Sequence, residues 1–163
     1  MLKEFLIAQN DGRCIYYLSE KEHNDPQLTS GYLASLGIFM QIHDNRIPKG
    51  IILNKGQWVI EHNTRQNFFI GMAINSDSRI DEKVAREVIE EIQESIHIIM
   101  GIEPIPLMKQ EKQIWEIVDQ TIKNKLIKLT GKKQITNFGP GLLKEKSLNS
   151  QKSQRSSKSL KEF

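Results

Sequence analysis

The sequence has only one cysteine and no long apolar run, and each shortage excludes a class of protein. With Cys14 alone there is no internal disulfide framework, and a zinc site would have to recruit carboxylates beside four scattered histidines. A reducing compartment fits this cysteine usage best. The first residues, MLKEFLIAQNDG, contain an acid and a turn where a signal peptide needs a longer hydrophobic stretch. We therefore expect a cytoplasmic protein without a membrane-spanning segment.

Charge is divided unevenly along the chain. Residues 132–163 hold eight Lys or Arg and two Glu, a net charge of +6, which leaves −3 for residues 1–131. The basic end reads KSLNSQKSQRSSKSLKEF and buries too little apolar surface to fold. We predict a folded domain over residues 1–130 and a basic, Ser- and Lys-rich disordered tail over residues 131–163. Such a tail is most simply a solvated extension, although its charge also suits peripheral contact with an anionic membrane, or nucleic-acid binding.

Five short segments have the composition of β-strands. The first two flank Asn10-Asp11-Gly12, and a tight two-residue type I′ hairpin is expected there because Asp-Gly tolerates positive φ. The other three have short polar connections that favour an antiparallel meander. The FFIGMAI and FLIA runs are apolar on both alternating faces, which predicts central strands covered on both sides. The predicted strands cover residues 3–9, 14–19, 50–53, 58–62 and 68–74.

The first of three helical segments is apolar on more than one face. It begins at Asp25-Pro26, an N-cap followed by a proline at the first helical position, and extends to about His43. Gly31 and Gly37 weaken it, which a close approach to the sheet or a partner would explain. A helix that only covers a sheet needs one apolar stripe, so the surplus indicates either a partner interface or further intramolecular burial. The apolar residues are Leu28, Tyr32, Leu33, Leu36, Phe39, Met40 and Ile42.

Two further helices complete the order strand, strand, helix, three strands, helix, helix (ββαβββαα). The second, with Ser78 as its N-cap, has one apolar stripe between Val84 and Ile99. The third extends from about Leu107 to Leu129. Because two strands are apolar on both faces, the expected fold is α/β (α+β), with a five-stranded mixed sheet and helices on both faces. The long connection between the second and third strands places them at opposite edges, in the order 2-1-5-4-3.

This succession of elements resembles the longin (SNARE-like, profilin-like) fold over roughly residues 1–130. The resemblance rests on the hairpin LIAQNDGRCIYYLS, the helix with LTSGYLASLGIFMQ and the FFIGMAI strand before a long amphipathic helix. The related roadblock domains are similar too, but they normally place a helix before the first strand. Here Met1 is followed almost at once by a strand, which favours longin.

The resemblance implies a non-catalytic protein-interaction domain, since longin domains occur in vesicle SNAREs, adaptor and coat subunits and exchange factors for small GTPases. The implied partners are another longin or roadblock domain, in a homodimer or heterodimer, and a small GTPase. In these families the first helix and the neighbouring edge strand often pair two domains into one continuous sheet. The alternatives are a roadblock-like dimeric GTPase regulator and a nucleic-acid-binding protein that acts through its basic tail. The predicted interface residues are Tyr32, Leu36, Met40, Ile51 and Leu53.

The other residues that could take part in catalysis or ligand binding fit structural roles better, so we predict no catalytic, cofactor or metal site. Cys14 is best interpreted as a small, partly buried strand residue, because a reactive thiol needs a base and positive surroundings that a sequence does not show. Gly139-Pro140-Gly141 lacks the Gly-Lys-Ser/Thr ending of a phosphate-binding loop. The histidines have no i, i+4 pair and no cysteine at ligand spacing. They are His23, His43, His62 and His97.

Overall fold

The structure, a computed structural model, describes residues 2–20, 25–76, 80–100, 112–131 and 135–138. These ranges form one sheet with helices on its two faces. The strands are β1 (Leu2–Gln9), β2 (Cys14–Ser19), β3 (Gly50–Leu53), β4 (Gly56–Asn63), β5 (Phe68–Asn75) and β6 (Ile135–Phe138). The helices are α1 (Pro26–Asp44), α2 (Glu82–Met100) and α3 (Lys112–Thr130).

The strand order is β3-β4-β5-β1-β2-β6, which confirms the predicted order 2-1-5-4-3 for the first five strands. The two strands with apolar residues on both faces, β1 and β5, lie at the centre. Each neighbouring pair is antiparallel, so the expectation of a mixed sheet was wrong. The reason is that α1 connects β2 with β3, which are not neighbours, so this crossover creates no parallel pair.

The sixth strand lies in segment 131–163, which the sequence analysis assigned to a disordered tail. It pairs antiparallel with β2, with Leu18 opposite Thr136 and Ser19 opposite Ile135. Among the described strands β6 therefore forms this edge of the sheet, and β2 is not an edge. The run ITNF has two adjacent polar residues between its apolar ends, so it lacks the apolar–polar alternation that marks a strand. Beyond Gly131 and β6, the predicted tail lies outside the described residues.

Helices cover both faces of the sheet, as predicted, but the apolar cluster on one face is larger than that on the other. On one face α2 and α3 enclose the larger apolar cluster, which includes Phe5, Tyr16 and Trp115. On the other face α1 packs on a smaller cluster, and its buried residues are Ser30, Leu33 and Ala34. Most of α1 is therefore only partly covered by the part of the chain that the structure describes.

Local polar signals fix the helix ends. Asp25 caps α1 as predicted, because its carboxylate accepts hydrogen bonds from the first two N–H groups after Pro26, and Asn45 ends the helix in a left-handed conformation. The N-cap of α2 is Asp81 instead of Ser78, since Oδ1 of Asp81 accepts a hydrogen bond from the N–H of Val84 (2.8 Å). Ser78 itself lies outside the described residues. Both residue types suit an N-cap, and for this reason the prediction of Ser78 from the sequence was wrong by three residues.

The turn between β1 and β2 is wider than the predicted type I′ turn. Gly12 has a positive φ of 91°, but Asp11 does not, and a type I′ turn needs positive φ at both central positions. The N–H of Gln9 donates to the carbonyl of Arg13, and the N–H of Gly12 donates to the carbonyl of Gln9, at 2.9 Å each. Asp11 instead accepts a hydrogen bond from the N–H of Arg13 through its carboxylate, as aspartate often does in turns.

Candidate interaction surface

The outward face of α1 carries an exposed apolar stripe. Leu28, Tyr32, Ser35, Phe39 and Ile42 follow one another at alternating intervals of four and three residues, which places them on one side of the helix. The four large side chains are between 56% and 74% exposed. The stripe faces away from the residues that pack on the sheet. A helix that served only to cover the sheet would have polar residues at these positions.

The edge of the sheet at β3 is also apolar and exposed. Among the described strands β3 pairs with β4 alone, so the backbone N–H and C=O groups on its other side have no strand partner. Ile52 is 86% exposed and Leu53 is 49% exposed, whereas Ile51 packs on the cluster beneath α1. Proteins commonly protect such edges with charged side chains, prolines or a covering element. An aliphatic edge strand is instead suited to pairing with another strand.

The stripe and the edge are connected through a short segment. The chain leaves α1 just after Ile42, passes through the exposed Ile47 and enters β3 at Gly50. We call this combined area the α1–β3 surface. It consists of the stripe residues Leu28, Tyr32, Phe39 and Ile42 with Ile47, Ile52 and Leu53.

Arg86 on α2 fixes the chain where it enters β3. Its guanidinium forms an ion pair with Glu61 on β4, and Nη2 donates a hydrogen bond to the carbonyl of Lys49 (2.8 Å). Burial alone would lower the pKa of Arg86, but the hydrogen bonds and charges of Glu82 and Glu61 raise it. Arg86 therefore stays charged and links α2, β4 and the start of β3.

A cleft opens between the C-terminal half of α1 and the sheet, with a volume of about 80 Å³. Asn10 and His62 line it, and each also has a buried polar atom, Oδ1 of Asn10 and Nε2 of His62, without a hydrogen-bond partner among the described residues. Burial lowers the pKa of His62, although the nearby Glu61 opposes this, so the imidazole is neutral at pH 7. The lining residues are Asn10, Ala34, Gly37, Ile38, Gln41, Ile47, His62 and Phe69.

The predicted interface residues have different degrees of exposure. Tyr32 and Leu53 are exposed, while Leu36, Met40 and Ile51 are half-buried. The prediction left out five exposed members of the surface. The alternating four- and three-residue spacing from Leu28 onward was the signal that could have found those on the helix. The members left out are Leu28, Phe39, Ile42, Ile47 and Ile52.

The residues considered for chemistry do not converge on a site in the part of the chain that the structure describes. Cys14 is buried, and burial raises the pKa of its thiol to about 12, so the reactive thiolate is scarce at neutral pH. His43 packs against Phe39 of the stripe, with 4.3 Å between ring centroids. Within the described ranges no group of three or more His, Cys, Asp or Glu side chains is placed to hold a metal ion. His23 and Gly139-Pro140-Gly141 lie outside those ranges.

The helices of the described part are too short or too polar to cross a membrane. No model of a known protein family matches the chain, and no curated protein is significantly similar to it in sequence. The function is therefore inferred from the fold and the exposed surfaces.

Proposed function

We propose that the chain is a non-catalytic protein-interaction domain of the longin type, which binds a second protein domain through the α1–β3 surface. The observation that carries this proposal is the exposed apolar stripe on α1. Large exposed apolar patches on folded proteins commonly mark interaction sites, because covering them removes apolar area from water. The stripe also explains why the apolar residues of α1 exceed what the sheet needs.

The free edge of β3 favours a partner that supplies a strand. A strand added beside β3 would satisfy its unpaired backbone groups and extend the sheet across both proteins. Neighbouring strand residues point to opposite faces, so Ile52 and Leu53 would both be covered only by a partner that contributes side chains on both faces. A second longin or roadblock domain, in a homodimer or a heterodimer, meets these requirements.

Light scattering after size-exclusion chromatography tests the pairing. In the homodimer version the wild-type chain has the mass of a dimer at high concentration, and a strict monomer would exclude it. The double variant Phe39→Asp and Ile42→Asp is expected to be monomeric, because association would bury two unpaired charges. The matched control introduces the same charges on the other face of the molecule, at the exposed Ile98 and Ile117. It should keep the wild-type mass.

A small GTPase is the further partner that we propose for the assembled domain, at a cytoplasmic membrane surface in vesicle trafficking. This part of the proposal is supported by the resemblance to longin domains. A pull-down from native lysate with and without non-hydrolysable GTP tests it. A GTPase recovered only with the nucleotide would support the proposal, and recovery of no GTPase would contradict it.

A further inference from the structure

Ser35 lies at the centre of the apolar stripe on α1 and is exposed like the large residues around it. Its hydroxyl donates a hydrogen bond to the carbonyl of Gly31 (2.8 Å), one turn earlier in the helix. The hydroxyl is therefore already paired within its own chain, and covering Ser35 would leave no unpaired donor. Serine also has the smallest side chain in the stripe, so a second helix can approach α1 most closely at this position.

The large residues of the stripe are spaced almost evenly on the two sides of Ser35. Leu28 lies seven residues before it, and Ile42 lies seven residues after it. Tyr32 lies three residues before it, and Phe39 lies four residues after it. In an antiparallel pair of α1 helices with Ser35 facing Ser35, Leu28 of each copy would face Ile42 of the other. Tyr32 would likewise face Phe39, so the stripe is complementary to a second copy of itself.

The charges at the two ends of α1 favour the antiparallel direction. The exposed Asp25 caps the N-terminal end of the helix. The exposed Arg46 and Lys49 follow the C-terminal end and outnumber Asp44 there. A parallel pair would place like charges side by side at each end. An antiparallel pair instead brings the acidic cap of each helix to the basic end of the other.

We propose that two copies of this chain pair through antiparallel α1 helices, packed stripe to stripe and centred on Ser35. The proposal rests on the homodimer version of the proposed function, and it specifies which residues meet. The small Ser35 lets the helix axes approach to about 8–10 Å, the usual distance between packed helices. Tyr32 and Phe39 form an aromatic pair on each side of the centre. Leu28 and Ile42 complete the contact at its two ends.

Disulfide formation between two copies tests the centre of this arrangement. Most of the Ser35→Cys full chain should become a covalent dimer under mild oxidation, since facing Cα atoms of helices packed this closely lie within reach of a disulfide. Ile98→Cys, exposed on α2, is the matched control and should form none. The wild type should form none either, because its Cys14 is buried. No covalent dimer from Ser35→Cys, or an equal yield from Ile98→Cys, would overturn the proposal.

A mixing experiment tests the direction of the helices. Leu28→Cys and Ile42→Cys are oxidised separately and as a mixture in which one chain is isotope-labelled. We expect a disulfide only between the two different variants, because the two copies of position 28 would lie about 21 Å apart along the helix axes. Covalent dimers from Leu28→Cys alone would indicate a parallel pair and contradict the proposal.

Light scattering separates this proposal from the proposed function. A chain with the mass of a dimer but without the Ser35→Cys disulfide would overturn this arrangement of the helices and leave the pairing intact. A strict monomer that also forms no disulfide would overturn both this arrangement and the homodimer.

Discussion

The indole ring of Trp58 on β4 lies over the backbone of Gly71 on β5. A Cβ at Gly71 would be 3.2 Å from two atoms of that ring, closer than ordinary van der Waals contact. Trp58 is buried in the cluster beneath α1, so its ring has little room to move. Gly71 therefore provides the space in which Trp58 packs on the face of the sheet that α1 covers.

Replacing Gly71 by alanine is expected to destabilise the fold by about 1–3 kcal/mol, the usual range for overpacking. The added methyl group would displace the Trp58 ring from its position in the cluster. Denaturant unfolding measures the stability, and tryptophan fluorescence reports the change around the ring. A Gly71→Ala variant as stable as the wild type would show that the ring is free to shift.

Alanine at Gly37 is expected to have the opposite effect. A Cβ at Gly31 or Gly37 would have no atom within 4 Å, so neither position requires glycine for a close approach. Gly37→Ala should therefore stabilise the fold by about 0.5–1 kcal/mol, because alanine favours the helix and restricts the unfolded chain. The same denaturant experiment measures it, and a loss of stability would reveal a contact that the structure does not show.

Removal of the Arg86 guanidinium should loosen the start of β3. We expect Arg86→Met to lower the free energy of unfolding by about 1–3 kcal/mol, because Glu61 keeps its partly buried charge without its cation. Hydrogen exchange at the amides of residues 50–52 should become faster. Lys83→Met is the control, since Lys83 pairs with Glu87 in full solvent, and its effect should stay within about 0.5 kcal/mol. If hydrogen exchange at these amides were unchanged in Arg86→Met, Arg86 would not be what holds the start of β3 in place.

The stability of the fold should depend on pH through His62. Burial places the pKa of His62 in the folded chain below its value of 6.5 in the unfolded chain. Between these two values the unfolded state binds more protons, so stability falls as the pH decreases through this window. Unfolding of the wild type and of His62→Gln is compared between about pH 7.5 and about pH 5. The wild type should lose more stability than the variant as the pH decreases. If the free energy of unfolding fell equally in both proteins, the lowered pKa of His62 would be contradicted.

The element order was predictable because strong local signals mark it. The doubly apolar runs identified the central strands β1 and β5, and Asp25-Pro26 marked the start of α1. The four-residue strand β6 has no such signal. Its place in the sheet depends on pairing with β2, and that contact is distant in sequence.

The orientation of α1 could not be predicted, because both of its faces contain apolar residues. Hydrogen bonds decide it: Oγ of Ser30 donates to the carbonyl of Gly12 (2.7 Å), and Gln27 donates to the same oxygen while accepting from the N–H of Cys14. These bonds turn the face with Ser30, Leu33 and Ala34 toward the sheet. Several larger apolar residues, such as Phe39, therefore face outward, which hydrophobicity alone would not predict.

Photo-crosslinking from the stripe is the most direct test of the proposed interaction surface. A photoreactive phenylalanine derivative replaces Phe39 in the full chain, which is then irradiated in native lysate, and the adducts are identified by mass spectrometry. The same derivative at the exposed Ile98 on α2 is the control. We predict an adduct specific to position 39 that contains a second copy of the chain or another longin or roadblock domain. No adduct from position 39, or the same adducts from both positions, would contradict an interface on the α1–β3 surface.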